Sequence, residues 1–343
     1  MKIYQKILIV QTAYLGDLVL TTPLFRAVRQ LFPDSIIDAL VIPQTADLIR
    51  NNTNLSHIYT FDKRNNREKA FAETLNIILK QQYDLAITPH RSFTTLRMLL
   101  ASGIPRRIGF RTGIQSFLLT DRVKYRQDQS EIQRNLSLLS PLSKRTFDIQ
   151  TEIFLSLQSR QTAESVLSDI PAHHYRIALA PGSVWPTKRW PQEHFAQVLS
   201  QLSNEPVSFI LIGSPAEKQL CQSIIDQSNC KHALNTAGTS LLEAAALIKG
   251  SNLFIGNDSG TLHIANAVQT DVIAFFGPTD ESLGFFPFRP DDKVFQIDLD
   301  CRPCSKHGAK SCPLGHFKCM KTLYPEPVII EIKKRLKKSV PGR

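Results

Sequence analysis

The chain has 343 residues, of which 42% are hydrophobic and 21% charged, and its formal net charge is +11 at pH 7. This length favours two domains over a single core. No apolar run approaches the roughly 18 residues that a membrane-spanning helix needs, and no signal-type cleavage site follows the first residues, so we expect a cytoplasmic protein. The positive charge favours an anionic partner, which leaves nucleic acid, a membrane surface and an acidic small molecule open.

Short apolar runs alternate with amphipathic stretches in the first half of the chain. Residues 6–11, 35–42, 58–61 and 83–88 read as buried strands, and residues 67–81 as an amphipathic helix. Pro23 lies within the helical pattern after the first strand, so that helix either kinks or restarts there. Strands that alternate with helices predict a doubly wound parallel sheet.

Asp17 stands at the turn from the first predicted strand into a helix. An aspartate at this position is ordinarily a helix cap. The functional interpretation is a carboxylate aimed into a cleft, where it acts as a general base. Near other predicted strand ends lie Arg91, Arg107 and Arg111. They are either solvated surface or a grip on carboxylates and phosphates, which the guanidinium geometry favours.

A second alternating run follows a predicted linker helix over residues 156–170. Its central unit is residues 254–279, where a strand enters the turn Asp258-Ser259-Gly260 and a helix carrying His263 follows. Backbone N–H groups at such a helix N-terminus carry partial positive charge and suit a phosphate. The ordinary alternative is a helix cap at Asp258 or Ser259.

Two further polar turns follow strands of the second half. Ser183 and Lys188 lie in the turn over residues 181–191, where backbone donors, a hydroxyl and positive charge favour pyrophosphate binding. Glu217 follows the next strand and either accepts hydrogen bonds from a ribose diol or lies at a helix start as an ordinary acidic residue. Neither turn is a P-loop, so kinase and nicotinamide chemistry are not indicated.

Four of the six cysteines crowd into one short segment near the end of the chain, at Cys301, Cys304, Cys312 and Cys319. In a cytoplasmic protein this density favours thiolate metal binding over disulfides. The spacing matches no standard zinc ribbon. Structural zinc, reduced packing thiols and redox-labile pairs therefore remain open.

The motifs together resemble glycosyltransferase family 9. The resemblance is carried by ILIVQTAYLGDLVLTTPLFRAVRQLFP, APGSVWPTKRWP, IGNDSGTLHIANAV and the segment that begins CRPC, in this order from Ile7 to about Met320. It implies a GT-B fold, with two Rossmann-like doubly wound domains facing a central cleft. Residues 1–160 then bind the acceptor and residues 171–322 the nucleotide-sugar. Residues 323–343 form a C-terminal helix and basic tail that cross back to the first domain.

The resemblance also implies roles for individual residues. Asp17 matches the family's catalytic base, Ser183 and Lys188 match positions that bind the donor diphosphate, and Glu217 matches the ribose-binding acid. The late donor motif corresponds to Asp258, Ser259, Gly260 and His263. Arg91, Arg107 and Arg111 are expected to bind the acceptor.

The activity implied is inverting, metal-independent transfer of heptose from ADP-L-glycero-D-manno-heptose to the acidic inner core of lipopolysaccharide. We expect a monomer that requires no cofactor for catalysis, binds no nucleic acid and makes peripheral contact with the cytoplasmic face of the inner membrane. One alternative keeps the fold and changes the donor sugar or the acceptor glycan. Another is a non-catalytic nucleotide- or nucleic-acid-binding protein with a cysteine-rich zinc module.

Overall fold

The computed structural model describes residues 3–63 and 66–339 and divides into two compact units, with the division between Phe154 and Leu155. Residues 340–343, which end the predicted basic tail, lie outside the described residues. No helix of the described ranges combines the length and the apolar character that spanning a membrane requires.

The first unit is built on a six-stranded parallel sheet in the order β3-β2-β1-β4-β5-β6. Its strands are β1 (Lys6–Gln11), β2 (Ile36–Val41), β3 (His57–Thr60), β4 (Leu85–Thr88), β5 (Arg106–Arg111) and β6 (Asp121–Lys124). Its helices are α1 (Leu15–Val19), α2 (Thr22–Leu31), α3 (Pro43–Ile49), α4 (Arg67–Gln81), α5 (Phe93–Ala101) and α6 (Glu131–Ser137). The strand order reverses between β1 and β4.

The second unit repeats this topology. Its sheet has the order β12-β11-β10-β7-β8-β9, with β7 (Tyr175–Ala180), β8 (Val207–Leu211), β9 (Ala233–Asn235), β10 (Leu253–Asn257), β11 (Asp271–Phe276) and β12 (Lys293–Gln296). Its helices are α7 (Leu157–Ser168), α8 (Gln192–Gln201), α9 (Lys218–Ser228), α10 (Leu241–Lys249), α11 (Gly260–Ala267), α12 (Lys318–Lys321) and α13 (Glu326–Ser339). The order reverses between β7 and β10, and the predicted pair of doubly wound parallel sheets is confirmed.

Burial on both faces explains why the central strands are nearly continuous apolar runs. Ile7, Leu8 and Ile9 of β1 have no exposed surface, and neither do Ile177 and Leu179 of β7. Helices cover each sheet on both sides, so no face of these strands needs polar residues. The same pattern made the strands recognisable in the sequence.

Pro23 divides the first helical segment. α1 ends at Val19, and α2 restarts at Thr22 with Pro23 in its first turn, where proline lacks only an N–H that would have no intrahelical partner. Of the two predicted outcomes, the restart is therefore the one observed. It leaves α1 as a single short turn directly after β1.

The C-terminal helix α13 packs onto the second unit. Val328, Ile329 and Ile332 lie in the same buried cluster as residues of β7 and β8. Arg335 of this helix forms ion pairs with Glu331 and with Asp271 at the start of β11. The predicted crossing of this helix to the first domain is untested and stays a prediction.

Trp190 ties the turn after β7 to its surroundings. Its ring stacks on Phe275 at 4.1 Å between centroids, its indole N–H donates to the Leu323 carbonyl at 2.7 Å, and only 2% of the residue is exposed. Trp190 therefore joins the turn to β11 and to the segment between α12 and α13.

We expect Trp190→Ala to lower the free energy of unfolding of the second unit by about 3–5 kcal/mol, because a large cavity opens and a buried carbonyl loses its donor. Urea unfolding followed by the fluorescence of the remaining tryptophan measures the change. Trp185→Ala is the matched control, since that side chain is half-buried, and should cost much less. Equal losses in the two variants would contradict this role.

Candidate active site residues

Asp17 lies in the short helix that follows β1 at the carboxyl edge of the first sheet. Its carboxylate accepts a hydrogen bond from the Tyr14 N–H at 3.2 Å, within a capping box for α1. The Thr21 hydroxyl donates to the Asp17 carbonyl at 2.7 Å, which fixes the turn between α1 and α2. Asp17 thus takes part in the cap of α1, as its position suggests. Among the described residues, no side chain forms a hydrogen bond or an ion pair with its carboxylate.

Burial raises the pKa of Asp17 to about 6, and the nearby carboxylate of Glu131 acts in the same direction. The Tyr14 hydrogen bond and the positive charge of Arg91 oppose this rise only in part. A carboxyl group that changes protonation state near neutral pH is matched to general-base chemistry. This property distinguishes Asp17 from an ordinary surface cap.

Glu131 belongs to a compact charged cluster beside Asp17. Its carboxylate pairs with Arg134 at 2.9 Å, and both side chains are almost fully buried. The Tyr125 hydroxyl donates to Glu131 at 3.1 Å, and the guanidinium of Arg91 lies over the Tyr125 ring at 4.2 Å from its centroid. The cluster holds Arg91, one of the predicted acceptor-binding residues, close to Asp17. Sequence reasoning missed Glu131, Tyr125 and Arg134, because nothing local links them to Asp17.

His90 lies where the strand order reverses, just after β4. Its Nδ1 is 2.8 Å from the Thr12 hydroxyl and 3.1 Å from that of Thr95. Burial lowers the pKa of His90 to about 4, and the charges of Lys63 and Arg91 add to this effect. His90 is therefore a neutral hydrogen-bonding residue near pH 7 that connects the ends of β1 and β4.

Arg107 and Arg111 occupy different ends of β5. Arg107 is level with Ala86, in the middle of β4, and its guanidinium donates to the carbonyls of Ile104 and Leu118. Arg111 is exposed at the carboxyl end of the strand. The structure thus gives Arg107 a loop-supporting role and does not bring it together with Asp17. The acceptor-binding roles of all three arginines stay predictions.

In the second unit, Lys188 and Asp258 meet where the sheet reverses its order. The Lys188 ammonium is 2.5 Å from an oxygen of Asp258, and both side chains are largely buried. The Thr279 hydroxyl donates to the same oxygen at 2.6 Å. Two predicted donor-binding residues are therefore in direct contact, and Thr279 is a third member that the sequence did not reveal. Asp258 does not cap a helix.

The N-terminus of α11 follows directly. Ser259 is the N-cap residue, and its hydroxyl bonds that of Thr261 at 2.8 Å and makes no cap bond. Gly260 begins the helix and His263 is 3% exposed. Burial lowers the pKa of His263 to about 4, and its Nδ1 has no hydrogen-bond partner within the described ranges. A buried polar atom without a partner beside a helix N-terminus suits a bound anion.

Asn257 connects the two polar turns. Its amide donates to the Pro181 carbonyl at 2.8 Å, and its oxygen accepts from the Trp190 N–H at 2.9 Å. The residue has no exposed surface. It fixes the turn carrying Ser183 and Lys188 against the end of β10, so the two motifs form one structure.

Glu217 reaches the turn after β7 from the neighbouring strand. One carboxylate oxygen accepts from the Ser214 N–H at 2.7 Å and from the Ser214 hydroxyl at 2.8 Å. A Cβ atom at position 182 would lie 1.8 Å from the other oxygen, so only glycine allows this approach. Glu217 is both a helix-start residue and a half-buried acid at the carboxyl end of β7.

Ser183 is the next residue of that turn and is 6% exposed. Its hydroxyl accepts from the Trp185 N–H at 3.4 Å, and its carbonyl accepts from the Arg189 guanidinium at 2.8 Å. The predicted donor-binding residues Ser183, Lys188, Glu217, Asp258, Ser259, Gly260 and His263 thus all lie at the carboxyl edge of the second sheet. Their functions stay predictions.

The cysteine-rich segment folds over the turn that carries Lys188. Arg302 donates to the backbone carbonyls of Phe276, Gly277 and Thr279 at the end of β11. Further along, Ala309 exchanges hydrogen bonds with Thr187, next to Lys188. The segment therefore supports the site through its backbone and an arginine.

All six cysteines are free thiols. Burial raises the pKa of Cys319 to about 11 and also raises that of Cys304. Within residues 3–63 and 66–339, no three His, Cys, Asp or Glu side chains are arranged to hold a metal ion. Structural zinc at Cys301, Cys304, Cys312 and Cys319 stays a prediction.

Several known proteins are similar to this chain in sequence or in structure. The chain is 36% identical over 162 residues to lipooligosaccharide heptosyltransferase 2 of Campylobacter jejuni, and the match spans 46% of this chain and 50% of that relative. It thus covers about half the length of this curated relative. A Veillonella parvula family 9 glycosyl transferase matches with a TM-score of 0.87 at 21% identity, covering 99% of both chains. Escherichia coli ADP-heptose lps heptosyltransferase II matches with a TM-score of 0.78 at 22% identity, covering 97% and 99%.

Two doubly wound units with this strand order, together with these neighbours, define a GT-B protein, as the sequence predicted. The model of glycosyltransferase family 9 (heptosyltransferase) matches residues 73–315. The chain belongs to that family. The resemblance noted in the sequence is therefore confirmed, and Asp17 lies outside the matched range.

We expect Asp17→Asn to stabilise the first unit at neutral pH. The raised pKa means that the folded state disfavours the charged carboxylate, so stability declines as pH rises towards 6 and the loss is complete above it. Removing the charge should recover about 1–3 kcal/mol at pH 8. Thermal unfolding measures the difference.

The difference in stability between the wild type and the Asp17→Asn variant should become smaller from pH 8 to about pH 5, where the wild-type carboxyl is protonated in the folded state. Asp47→Asn on α3, whose carboxylate pairs with Arg50 at the surface, is the control and should show no such pH dependence. A destabilised Asp17→Asn variant at pH 8 would contradict the unfavourable environment inferred for this carboxylate.

Proposed function

We propose that this protein is an inverting heptosyltransferase that moves heptose from ADP-L-glycero-D-manno-heptose to the inner core of lipopolysaccharide. The observation that carries the proposal is Asp17, a carboxylate with a pKa of about 6 at the carboxyl edge of the first sheet. Family membership and the printed names of the relatives supply the donor and acceptor class. A binding protein without catalysis would have no use for a base in this environment.

In the proposed reaction, Asp17 removes the proton from an acceptor hydroxyl as the hydroxyl oxygen attacks the anomeric carbon of the heptose. The bond from that carbon to the diphosphate oxygen breaks on the opposite face, and ADP leaves with the electron pair. One displacement inverts the configuration. The proton ends on Asp17, whose raised pKa makes the transfer thermodynamically accessible.

The second unit is proposed to hold the diphosphate. Lys188 supplies a buried positive charge, and Asp258 fixes its position through the 2.5 Å ion pair. The N–H groups at the start of α11 and the Ser183 hydroxyl add neutral donors. As the bond to the sugar breaks, the charge on the diphosphate grows, and donors already in place stabilise it without reorganisation. In this proposal no divalent cation is required.

His263 has a defined part in this proposal. Its imidazole is neutral near pH 7, because burial lowers its pKa to about 4. Its Nδ1 meets no hydrogen-bond acceptor or donor of the described chain, so a diphosphate oxygen is the partner proposed for it. Glu217, beside Gly182 at the end of β7, is proposed to accept from the ribose hydroxyls.

The acceptor is acidic, and the positive charge near Asp17 matches it. Arg91 lies over Tyr125 next to Asp17, and Arg111 is exposed at the end of β5. We propose that these two guanidiniums bind carboxylate or phosphate groups of the inner core. Arg107 contributes indirectly, by fixing the loop after β5.

The test is ADP release from ADP-heptose in the presence of a heptose-deficient inner-core acceptor. We expect Asp17→Ala to lower kcat by about 100-fold or more, with ADP binding unchanged, because only the base is removed. Lys188→Ala should instead weaken ADP binding about tenfold or more, since a charge-assisted contact is lost. Lys249→Ala, at an exposed position on α10, is the control for loss of one positive charge.

Each negative result of this test would contradict a different part of the proposal. Tight ADP binding without turnover on any heptose-deficient acceptor would contradict the assigned sugar or acceptor. Loss of activity in Asp17→Ala together with loss of ADP binding would contradict the division of labour between the two units. Failure of the wild type to bind ADP would overturn the donor site.

A further inference from the structure

Two neighbouring elements of the first unit carry four exposed apolar side chains. Phe93 is 57% and Leu100 46% exposed on α5, and Ile114 is 88% and Phe117 64% exposed on the short 3-10 helix Ile114–Leu118. The two elements pack against each other through the buried cluster that contains Leu96. The two elements are therefore neighbours at the surface of the first unit, and four exposed apolar side chains on adjoining elements need an explanation that single scattered ones do not.

The outer face of α5 follows helical spacing. Phe93, Arg97 and Leu100 lie at positions i, i+4 and i+7 and are all exposed. Met98 and Leu99 point the other way, into the core that contains β1 and β4 residues. We call Phe93, Arg97, Leu100, Ile114 and Phe117 the apolar-basic patch.

Hydrogen bonds hold the 3-10 helix in place. The Arg107 guanidinium donates to the Leu118 carbonyl at 3.0 Å, and the backbones of Arg107 and Thr120 are joined by a 3.0 Å bond. The Ser116 hydroxyl donates to the Gly113 carbonyl at 3.0 Å. Ile114 and Phe117 thus project from an anchored loop, so their exposure is built into the structure.

The segment that carries the patch has charged side chains of one sign. Residues 85–120 contain five arginines and no aspartate or glutamate. At the end of β5, the exposed Arg111 is paired in register with the exposed Lys124 of β6. The next acid, Asp121, is neutralised by Arg106 through two hydrogen bonds. A segment that combines exposed apolar side chains with cations and contains no acid of its own matches an anionic lipid surface.

We propose that the apolar-basic patch docks the protein on an anionic phospholipid bilayer, with Ile114 and Phe117 inserted among the lipids and Arg97 at the headgroup phosphates. Ile114 of the patch follows the carboxyl end of β5, the same edge of the parallel sheet at which Asp17 follows β1. The inference rests on the proposed function, because an acceptor that carries lipid chains is presented at a membrane.

The experiment is co-sedimentation of the full-length protein with vesicles of phosphatidylglycerol and phosphatidylcholine, and with vesicles of phosphatidylcholine alone. We expect binding to the anionic vesicles only, weakened by high salt. The double variant Ile114→Ser/Phe117→Ser should bind the anionic vesicles at least about tenfold more weakly, because two apolar side chains that insert into the bilayer are lost. Leu79→Ser on α4, 44% exposed and outside the patch, is the matched control and should bind like the wild type.

A second variant separates this surface from the other basic face of the molecule. Lys333, Lys334, Lys337 and Lys338 of α13 lie around the exposed Ile330. The variant Lys333→Ala/Lys337→Ala should retain vesicle binding if the apolar-basic patch is the docking surface. Loss of binding in this variant with retention in Ile114→Ser/Phe117→Ser would overturn the proposal.

Two further readouts make the outcome unambiguous. Turnover of a deacylated, water-soluble inner-core acceptor should be unchanged in Ile114→Ser/Phe117→Ser, whose melting temperature should equal that of the wild type. Absence of this turnover in the wild type would contradict the proposed function and leave the vesicle result standing. A wild-type dimer that the double variant abolishes, without vesicle binding by either, would assign the patch to a second copy of this chain and overturn membrane docking.

Discussion

The arrangement of parallel strands decides where chemistry can occur in this protein. All strands of each sheet present their carboxyl ends at one edge, and reversal of the strand order leaves a crevice there, between β1 and β4 in the first unit and between β7 and β10 in the second. Asp17 and His90 follow the strands of the first reversal. Ser183 and Asp258 follow those of the second. The same topological feature therefore places the proposed base in one unit and the proposed anion-binding turn in the other.

Two aspartates show how environment separates their roles. Asp258 is buried but has a direct ion pair with Lys188 and a hydrogen bond from Thr279, so its charge is compensated and it serves to position the lysine. Asp17 has hydrogen bonds only from backbone N–H groups and no ion pair among the described residues, and Glu131 adds a second negative charge nearby. Burial raises the pKa of Asp17, because these hydrogen bonds and the charge of Arg91 compensate for it only in part. The sequence shows the same residue type at both turns, and only packing distinguishes the ion-paired carboxylate of Asp258 from the proposed base Asp17.

The sequence predicted the fold well because its signals are local. Apolar runs marked the buried strands, Pro23 marked a helix break, and polar turns after strands marked the carboxyl edges. The sequence indicated Lys188 and Asp258 as members of two separate motifs. It did not predict their contact, because 70 residues separate them. Glu131, Tyr125, Asn257 and Thr279 were missed because their importance depends on contacts distant in sequence. Arg107 was predicted to bind the acceptor because its neighbours are basic. Its guanidinium donates to two loop carbonyls, a contact that the sequence did not reveal, and its acceptor role stays a prediction.

The pH dependence of kcat/KM for heptose transfer, from about pH 5 to about pH 8, is the most direct test of Asp17 as the proposed general base. An acceptor without phosphate monoesters is needed, because such groups titrate near pH 6 themselves. Since the base must be unprotonated, kcat/KM should rise with pH, and the midpoint of the rise should lie at about 6, the pKa to which burial raises Asp17. The residual activity of Asp17→Asn should lack this rise. A profile that is flat over the range, or that keeps its midpoint in the variant, would contradict Asp17 as the general base.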